Sequence, residues 1–171
     1  MLDWQPSALS TAEKSNVYEE ISVVKATDLL KKDHDMVKKL FSEFEKSADS
    51  AHKKRLSIAE EICEELRVHS AIEEEIFYPA VKAIRDKKAK FDIEEALEEH
   101  KQVKSVIEDV RKLNGDEPAF GAKMKVLKED VEHHAEEEET EIFKEARKLG
   151  NERLEELGEK LQIAKERLMA A

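Results

Sequence analysis

Four histidines fall into two matched pairs: His34 to His69 spans 35 residues and His100 to His134 spans 34. The second member of each pair is followed four residues later by a glutamate, Glu73 and Glu138. On a helix, a carboxylate one turn beyond an imidazole shares its face, so each pair can bring three ligand atoms to one point. Four imidazoles and two carboxylates are enough donors for two metal ions. No thiolate belongs to the set, which excludes a finger-type structural zinc, and six N/O donors exceed what one tetrahedral zinc needs. Imidazole suits iron, zinc, copper and nickel, whereas carboxylates able to bridge favour pairs of iron or manganese.

The elements that must position these groups are helices. In 171 residues there are four Gly and three Pro, 42% of residues are charged, and strand signals are absent. One all-α domain follows, long enough to bury a core. Four stretches carry helical periodicity, and the histidines lie on their apolar stripes. The first, about 27–47, reads Leu30, His34, Val37, Phe41, Phe44, with Thr27 or Asp28 as the expected N-cap. The second, about 51–87, reads Ile62, Leu66, His69, Glu73, Ile76, Ala80, and Pro79 is expected to kink it. The third, about 92–113, reads Ile93, Leu97, His100, Val103, Ile107, Val110 and stops at Asn114-Gly115. The fourth, about 118–148, reads Phe120, Met124, Leu127, Val131, His134, Glu138, Ile142.

The four stretches are expected to pack as one antiparallel helical bundle. A short N-terminal extension, 1–25, precedes it and an amphipathic C-terminal helix, 149–171, follows. Ser10-Thr11-Ala12-Glu13 is a capping-box pattern, so the extension is expected to carry a short docked helix. Leu154, Leu157, Leu161, Ala164 and Leu168 give the tail an apolar stripe that either packs on its own bundle or joins two chains as a homodimer. The hairpins also resemble each other: Asp33-His34 with Val37-Lys38 recurs as Glu99-His100 with Val103-Lys104, and His69 to Glu74 recurs as His134 to Glu139. A duplicated hairpin would place two ions side by side about a pseudo-two-fold axis.

Burying two ionised carboxylates costs several kcal/mol each unless they are compensated, and unpaired imidazoles add to that cost. A metal removes the difficulty for all six residues at once. His133 points about a third of a turn from His134, exposed or a fifth nitrogen donor, and His52 sits at a helix start far from the site. Glu74, Glu75, Glu136, Glu137 and Glu139 are available to imidazole N–H groups or to a solvated acidic face. Tyr78 is expected as a core or interfacial ring. Ser70, adjacent to His69, points elsewhere.

The net charge of −11 opposes binding to nucleic acid and anionic membranes. Cys63 is the single cysteine and reads as a small buried hydrophobe. No basic start with an apolar run marks a secretion signal, and no apolar segment approaches the roughly 18 residues of a membrane span. A cytoplasmic protein is expected.

Over residues 26–148 the chain resembles the hemerythrin-like family, the HHE cation-binding domains. The resemblance rests on Asp33-His34 with Leu40-Phe41, on the run from His69 through Glu73-Glu74-Glu75 to Pro79, on Glu99-His100, and on His133-His134 through Glu138 with Ile142-Phe143. It implies an all-α, up-down-up-down four-helix bundle over 26–148 that holds a non-haem di-iron centre, two iron ions with oxo or hydroxo and carboxylate bridges. His34, His69, His100 and His134 would be terminal ligands, and Glu73 and Glu138 the bridges. It further implies a small diatomic ligand or peroxide and an electron donor of unknown identity. Function would then be binding, sensing or reaction with O₂, NO or peroxide, the alternatives being peroxide dismutation or ferroxidase activity, and iron storage or a structural metal. Two departures weigh against reversible oxygen carriage: Lys104 stands where oxygen carriers have a second histidine in the third helix, and Glu138 rather than an aspartate one residue later follows His134. Position 144 is Lys where many members have proline, a structural change.

Overall fold

The computed structural model describes residues 24–171, and the capping-box segment at Ser10 to Glu13 lies outside them. Helix α1 (Ala26–Lys46) buries Leu30, His34, Val37, Phe41 and Phe44, its expected stripe. It begins earlier than Thr27. Lys25, in extended backbone and with no side-chain cap bond, stands at the N-cap, while Asp28 sits in the first turn, where the helix dipole favours an acid.

Helix α2 (His52–Ile72), a π-helical turn (Glu73–Phe77) and α3 (Tyr78–Lys82) form one rod. It ends before residue 87. Arg85 takes a left-handed φ of 63°, and Asp86 then starts the next helix by accepting hydrogen bonds from the Lys88 and Ala89 amides at 2.8 and 3.1 Å. That cap explains why α4 (Lys87–Val110) starts one turn before the expected Asp92. Helix α5 (Pro118–Glu137) has its proline in the first turn, where no amide partner is lost. A second π-helical turn (Glu138–Ile142), α6 (Phe143–Ala146) and a 3₁₀ turn (Arg147–Leu149) complete the fourth rod. Gly150, at φ 86°, supplies the left-handed corner into α7 (Asn151–Met169).

The two π turns replace the expected proline kink. The Tyr78 amide reaches back five residues to the Glu73 carbonyl, and the Phe143 amide does the same to Glu138. Pro79 cannot be the common cause, because the equivalent position in the second half is Lys144. Each wide turn adds one residue to the helical circuit, so the inward stripe changes phase. Beyond Glu73 the buried residues are Phe77, Tyr78 and Val81, not Ile76 and Ala80, which are half-buried. Beyond Glu138 both Ile142 and Phe143 are buried.

Four antiparallel rods therefore form the bundle, and α7 lies along α1, α2 and the first π turn as a fifth helix. Its Leu154, Leu157, Leu161 and Ala164 are buried there. Gly158 is needed at this seam: a Cβ would overlap the Val24 carbonyl oxygen and lie 3.0 Å from the Ala26 amide nitrogen. The core divides into two apolar clusters. One gathers Leu30, Phe77, Tyr78, Ile93, Phe143 and Leu161; the other gathers Phe41, Ile62, Leu66, Ile107, Met124 and Leu127. Along every rod the histidine sits between them, so a polar layer is enclosed by apolar packing above and below.

Candidate metal centre

His34 on α1, His69 on α2, His100 on α4 and His134 on α5 are all buried, as are Glu73 and Glu138 at the first residue of each π turn. The six residues singled out by spacing thus occupy one layer. His34, His69, Glu73 and Glu138 converge in one group, and Glu73, His100 and His134 in another, each with its nearest ligand atoms within 4.8 Å of one another. Glu73 spans both groups: its Oε1 lies 3.1 Å from His69 Nε2 and its Oε2 lies 3.3 Å from His100 Nε2. Glu138 Oε2 is 3.2 Å from His34 Nε2. The Nε2 atoms approach pairwise, His34 to His69 at 3.1 Å and His100 to His134 at 3.2 Å.

Every outward ring nitrogen faces a carboxylate. His34 Nδ1 is 3.0 Å from Glu139, His100 Nδ1 is 2.9 Å from Glu74, His134 Nδ1 is 2.7 Å from Glu99, and His69 Nδ1 is 3.5 Å from Asp33. A carboxylate only accepts, so Nδ1 carries the proton and Nε2 of a neutral ring turns its lone pair inward. The arrangement repeats with the duplication. The acid preceding the first histidine of each hairpin serves the second one, and the acid following each buried glutamate serves a histidine of the other hairpin.

Lysines hold three of these four acids. Lys31 lies 2.9 Å from Glu139, Lys104 lies 2.7 Å from Glu74, and Lys165 of α7 lies 2.7 Å from Asp33. Lys104 therefore does not leave a gap where a histidine could have been; it fixes the carboxylate that orients His100. Glu99 has no lysine or arginine partner among the described residues, only His133 Nε2 at 3.9 Å beside its bond to His134.

The inward atoms are incompatible with an empty apolar core. Among the described residues none donates a hydrogen bond to the four oxygens of Glu73 and Glu138, although the two residues are 0% and 1% exposed. Four acceptor oxygens facing four imidazole nitrogens need cations between them. Without a metal, protons on the imidazoles take part of that role. Burial opposes charge on His69, yet Glu73 and Asp33 hold its ring well above its ordinary value, and against the same burial Glu73 and Glu74 raise His100 to about 9. For Glu73, burial is outweighed by His69 and His100, which hold the carboxyl well below its usual range, whereas burial and the neighbouring Glu73 charge push Glu138 up. Metal cations held among these groups would satisfy them and displace those protons.

The remaining expectations are resolved by position. His133 is 65% exposed at its side chain and pairs with Glu137 at 3.3 Å, so it is not a fifth inward nitrogen. His52 is exposed, and its Nδ1–H donates to the Gly115 carbonyl at 3.1 Å. Tyr78 is buried, stacks on His100 at 5.6 Å between ring centroids, and sets its hydroxyl 3.5 Å from His100 Nε2. Burial and the Glu138 and Glu73 charges raise its phenol well above the ordinary value, so it stays protonated. Ser70 bonds the Arg67 carbonyl and plays no part. Glu74 and Glu139 are imidazole partners as expected, whereas Asp33 and Glu99 are partners that the sequence signals only through the repeated acid-histidine pairs Asp33-His34 and Glu99-His100.

Comparison with known proteins agrees with this geometry. The model of the Hemerythrin HHE cation binding domain matches residues 25–146. A crystal structure of a hemerythrin HHE cation binding domain-containing protein from Mycobacterium kansasii superposes with a TM-score of 0.74 at 28% identity, covering 85% of this chain and 87% of that one. A protein of Nostoc sp. described as a DNA nickase is 27% identical over 142 residues, which is 82% of this chain but only 39% of the relative. The histidine-glutamate layer, the bundle and the family match converge: this chain belongs to the hemerythrin HHE cation-binding domain family.

Proposed function

We propose that the chain is a non-haem di-iron protein that binds, senses or reacts with O₂, NO or peroxide. The observation that carries this is the set of four fully buried, unbonded carboxylate oxygens facing four imidazoles whose outer nitrogens are each held by a carboxylate. All-N/O donors with a carboxylate spanning both groups suit paired iron better than zinc or copper. His34, His69, His100, His134, Glu73 and Glu138 would hold the pair, with Glu73 spanning the two positions and Glu138 also facing inward. A bound iron pair would supply exchangeable electrons and an open coordination position.

The chain's own residues set the conditions. The group around His100 and His134 has three side-chain donors against four around His34 and His69, so a cation held on the His100 side would have fewer donors from the chain and more room for a small molecule. The Tyr78 hydroxyl lies on that side and, remaining protonated, can donate a hydrogen bond to a small molecule there. The two apolar clusters exclude bulk water from the layer, which strengthens every electrostatic interaction within it. The outer acids fix each ring's orientation and raise its basicity.

One observation favours the ferrous-oxidising variant of this reading: an acidic groove of about 450 Å³ between α4 and α5 reaches His134 and Glu138. Nicking of DNA is not carried over from the Nostoc relative, because a net charge of −11 opposes a phosphate backbone. No described helix is long and apolar enough to cross a membrane. The leucine stripe of α7 is spent on its own bundle, so a single copy is proposed as the working form.

The test is metal content with an optical spectrum, taken before and after dithionite and again after O₂, NO or peroxide. Two irons per chain, with visible absorption that bleaches on reduction and responds to one of these molecules, is the expected result. One zinc per chain, or no metal and unchanged folding, refutes the proposal. Peroxide consumed with O₂ release would select the enzymatic alternative, and loading without any response would select storage or a structural role.

A further inference from the structure

We infer that the groove between α4 and α5 is the entry route for divalent cations, with a transient cation site formed by Glu99, His133 and Glu137 at its mouth. The inference rests on the buried layer being the metal centre. Glu99 Oε1 lies 3.9 Å from His133 Nε2, Glu137 Oε1 lies 3.3 Å from the same nitrogen, and the three side chains can offer ligand atoms to one point. His133 and Glu137 are one turn apart on α5, so the helix itself sets their spacing.

Three further features separate this cluster from an ordinary acidic surface. The groove is lined by His134 and Glu138 of the buried layer as well as by the cluster, and Glu138 is 1% exposed with neither oxygen bonded among the described residues, so one cavity touches both the cluster and residues of the centre. The charge balance also changes along the groove. At one end Lys88 neutralises Asp92 and Glu141, whereas Glu95, Glu99, Glu136 and Glu137 face it without a lysine or arginine partner among the described residues. Finally, Glu99 breaks the pattern of the other three acids that orient the inward histidines. Asp33, Glu74 and Glu139 each have a lysine, while the atom of Glu99 that a lysine would take faces His133 instead.

Glu99 is thus shared between two tasks. Its Oε2 holds His134 Nδ1 at 2.7 Å and its Oε1 completes the outer cluster. A cation resting at the mouth is one side chain from the buried layer, and a negative cleft with low-dielectric walls raises its local concentration. A lysine at this position, as on the other three acids, would repel it.

The test is stopped-flow loading of the metal-free full chain with Co²⁺ alone, read by the visible bands of the bound ion, comparing wild type with the double variant His133→Gln, Glu137→Gln. Both side chains are solvent-facing and neither contacts the buried layer, so the fold is preserved. The expected result is loading slower by about tenfold or more at unchanged final absorbance, together with a wild-type rate that falls steeply with added salt. Rates within about twofold of each other overturn the inference, since steering through this cluster would then be absent. A loss of final absorbance in the variant also overturns it, by making the cluster part of the centre. If the wild type acquires no Co²⁺ bands at all, the metal-centre reading itself has failed.

Discussion

Exchanging Glu138 for glutamine should move stability in opposite directions with and without metal. In the metal-free chain this carboxylate is fully buried, has no hydrogen-bond donor among the described residues, and faces Glu73, which carries the same charge. Glutamine keeps the shape, removes the buried charge, and brings an NH₂ group toward His34 Nε2, which sits 3.2 Å from Oε2. Relief of an uncompensated buried charge by an isosteric neutral group is worth about 1–3 kcal/mol. At about 2–4 °C per kcal/mol for a domain of this size, the metal-free Tm should rise by roughly 2–12 °C. In the presence of metal the sign reverses. A cation in about thousandfold excess over its Kd stabilises the wild type by about 4 kcal/mol, and a variant that has lost one inward carboxylate forfeits most of this. The assay is thermal unfolding by circular dichroism on both proteins, in chelator and in anaerobic Fe²⁺. A lower Tm for Glu138→Gln in chelator would refute the reasoning, as would a wild-type Tm that ignores metal, because either would mean that the carboxylate is satisfied within the protein.

Three other outcomes follow from individual contacts. Gly158→Ala should destabilise the fold by about 2–3 kcal/mol, since its Cβ meets backbone rather than a movable side chain; an unchanged Tm would show that α7 can shift away from Val24 freely. Lys165→Met should cost about 1–3 kcal/mol and shift the visible spectrum or potential of the loaded centre, because Asp33 loses the partner that steadies it against His69, whereas Lys165→Arg should restore both; an unaltered spectrum in the Met variant would sever α7 from the site. Burial pushes the Cys63 thiol from 9.0 to about 11, Arg111 opposing only in part, so iodoacetamide at pH 8 should modify it in denaturant and leave the native chain untouched. Because the unfolded thiol ionises first, unfolding releases a proton between pH 9 and 11, and native stability should fall across that window; prompt native labelling would show that the thiol is accessible.

The inward donors were legible because they obey helical periodicity. His34, His69, His100 and His134 stand on stripes whose other members are plain apolar residues, and Glu73 and Glu138 are one turn from a histidine. What the pattern did not show lies off those stripes or across the fold. Asp33 and Glu99 sit one residue before a histidine but serve a different one, 36 and 35 residues away, a pairing set by how the rods align. Lys165 reaches Asp33 across 132 residues from a helix whose sequence pattern is its leucine stripe. The change of phase beyond Glu73, which exchanged Ile76 and Ala80 for Phe77, Tyr78 and Val81, was missed because a fixed period of 3.6 was carried through a turn that does not have it. The cap at Asp86 was missed for a local reason: its side chain binds two amides just ahead, among lysines that carry no apolar pattern.

The two widened turns also bear on ancestry. Each begins at its glutamate, four residues after a histidine, and each contains the same single-residue surplus, although one half is followed by Pro79 and the other by Lys144. Recurrence at matching positions fits a solitary hairpin that carried the surplus before the chain was doubled. Such an ancestor would have carried two histidines and one glutamate, and two copies meeting face to face would have assembled the whole donor set. The two halves of the present polypeptide differ at their rims, where Asp33 is held by Lys165 of the fifth helix and its counterpart, Glu99, faces His133.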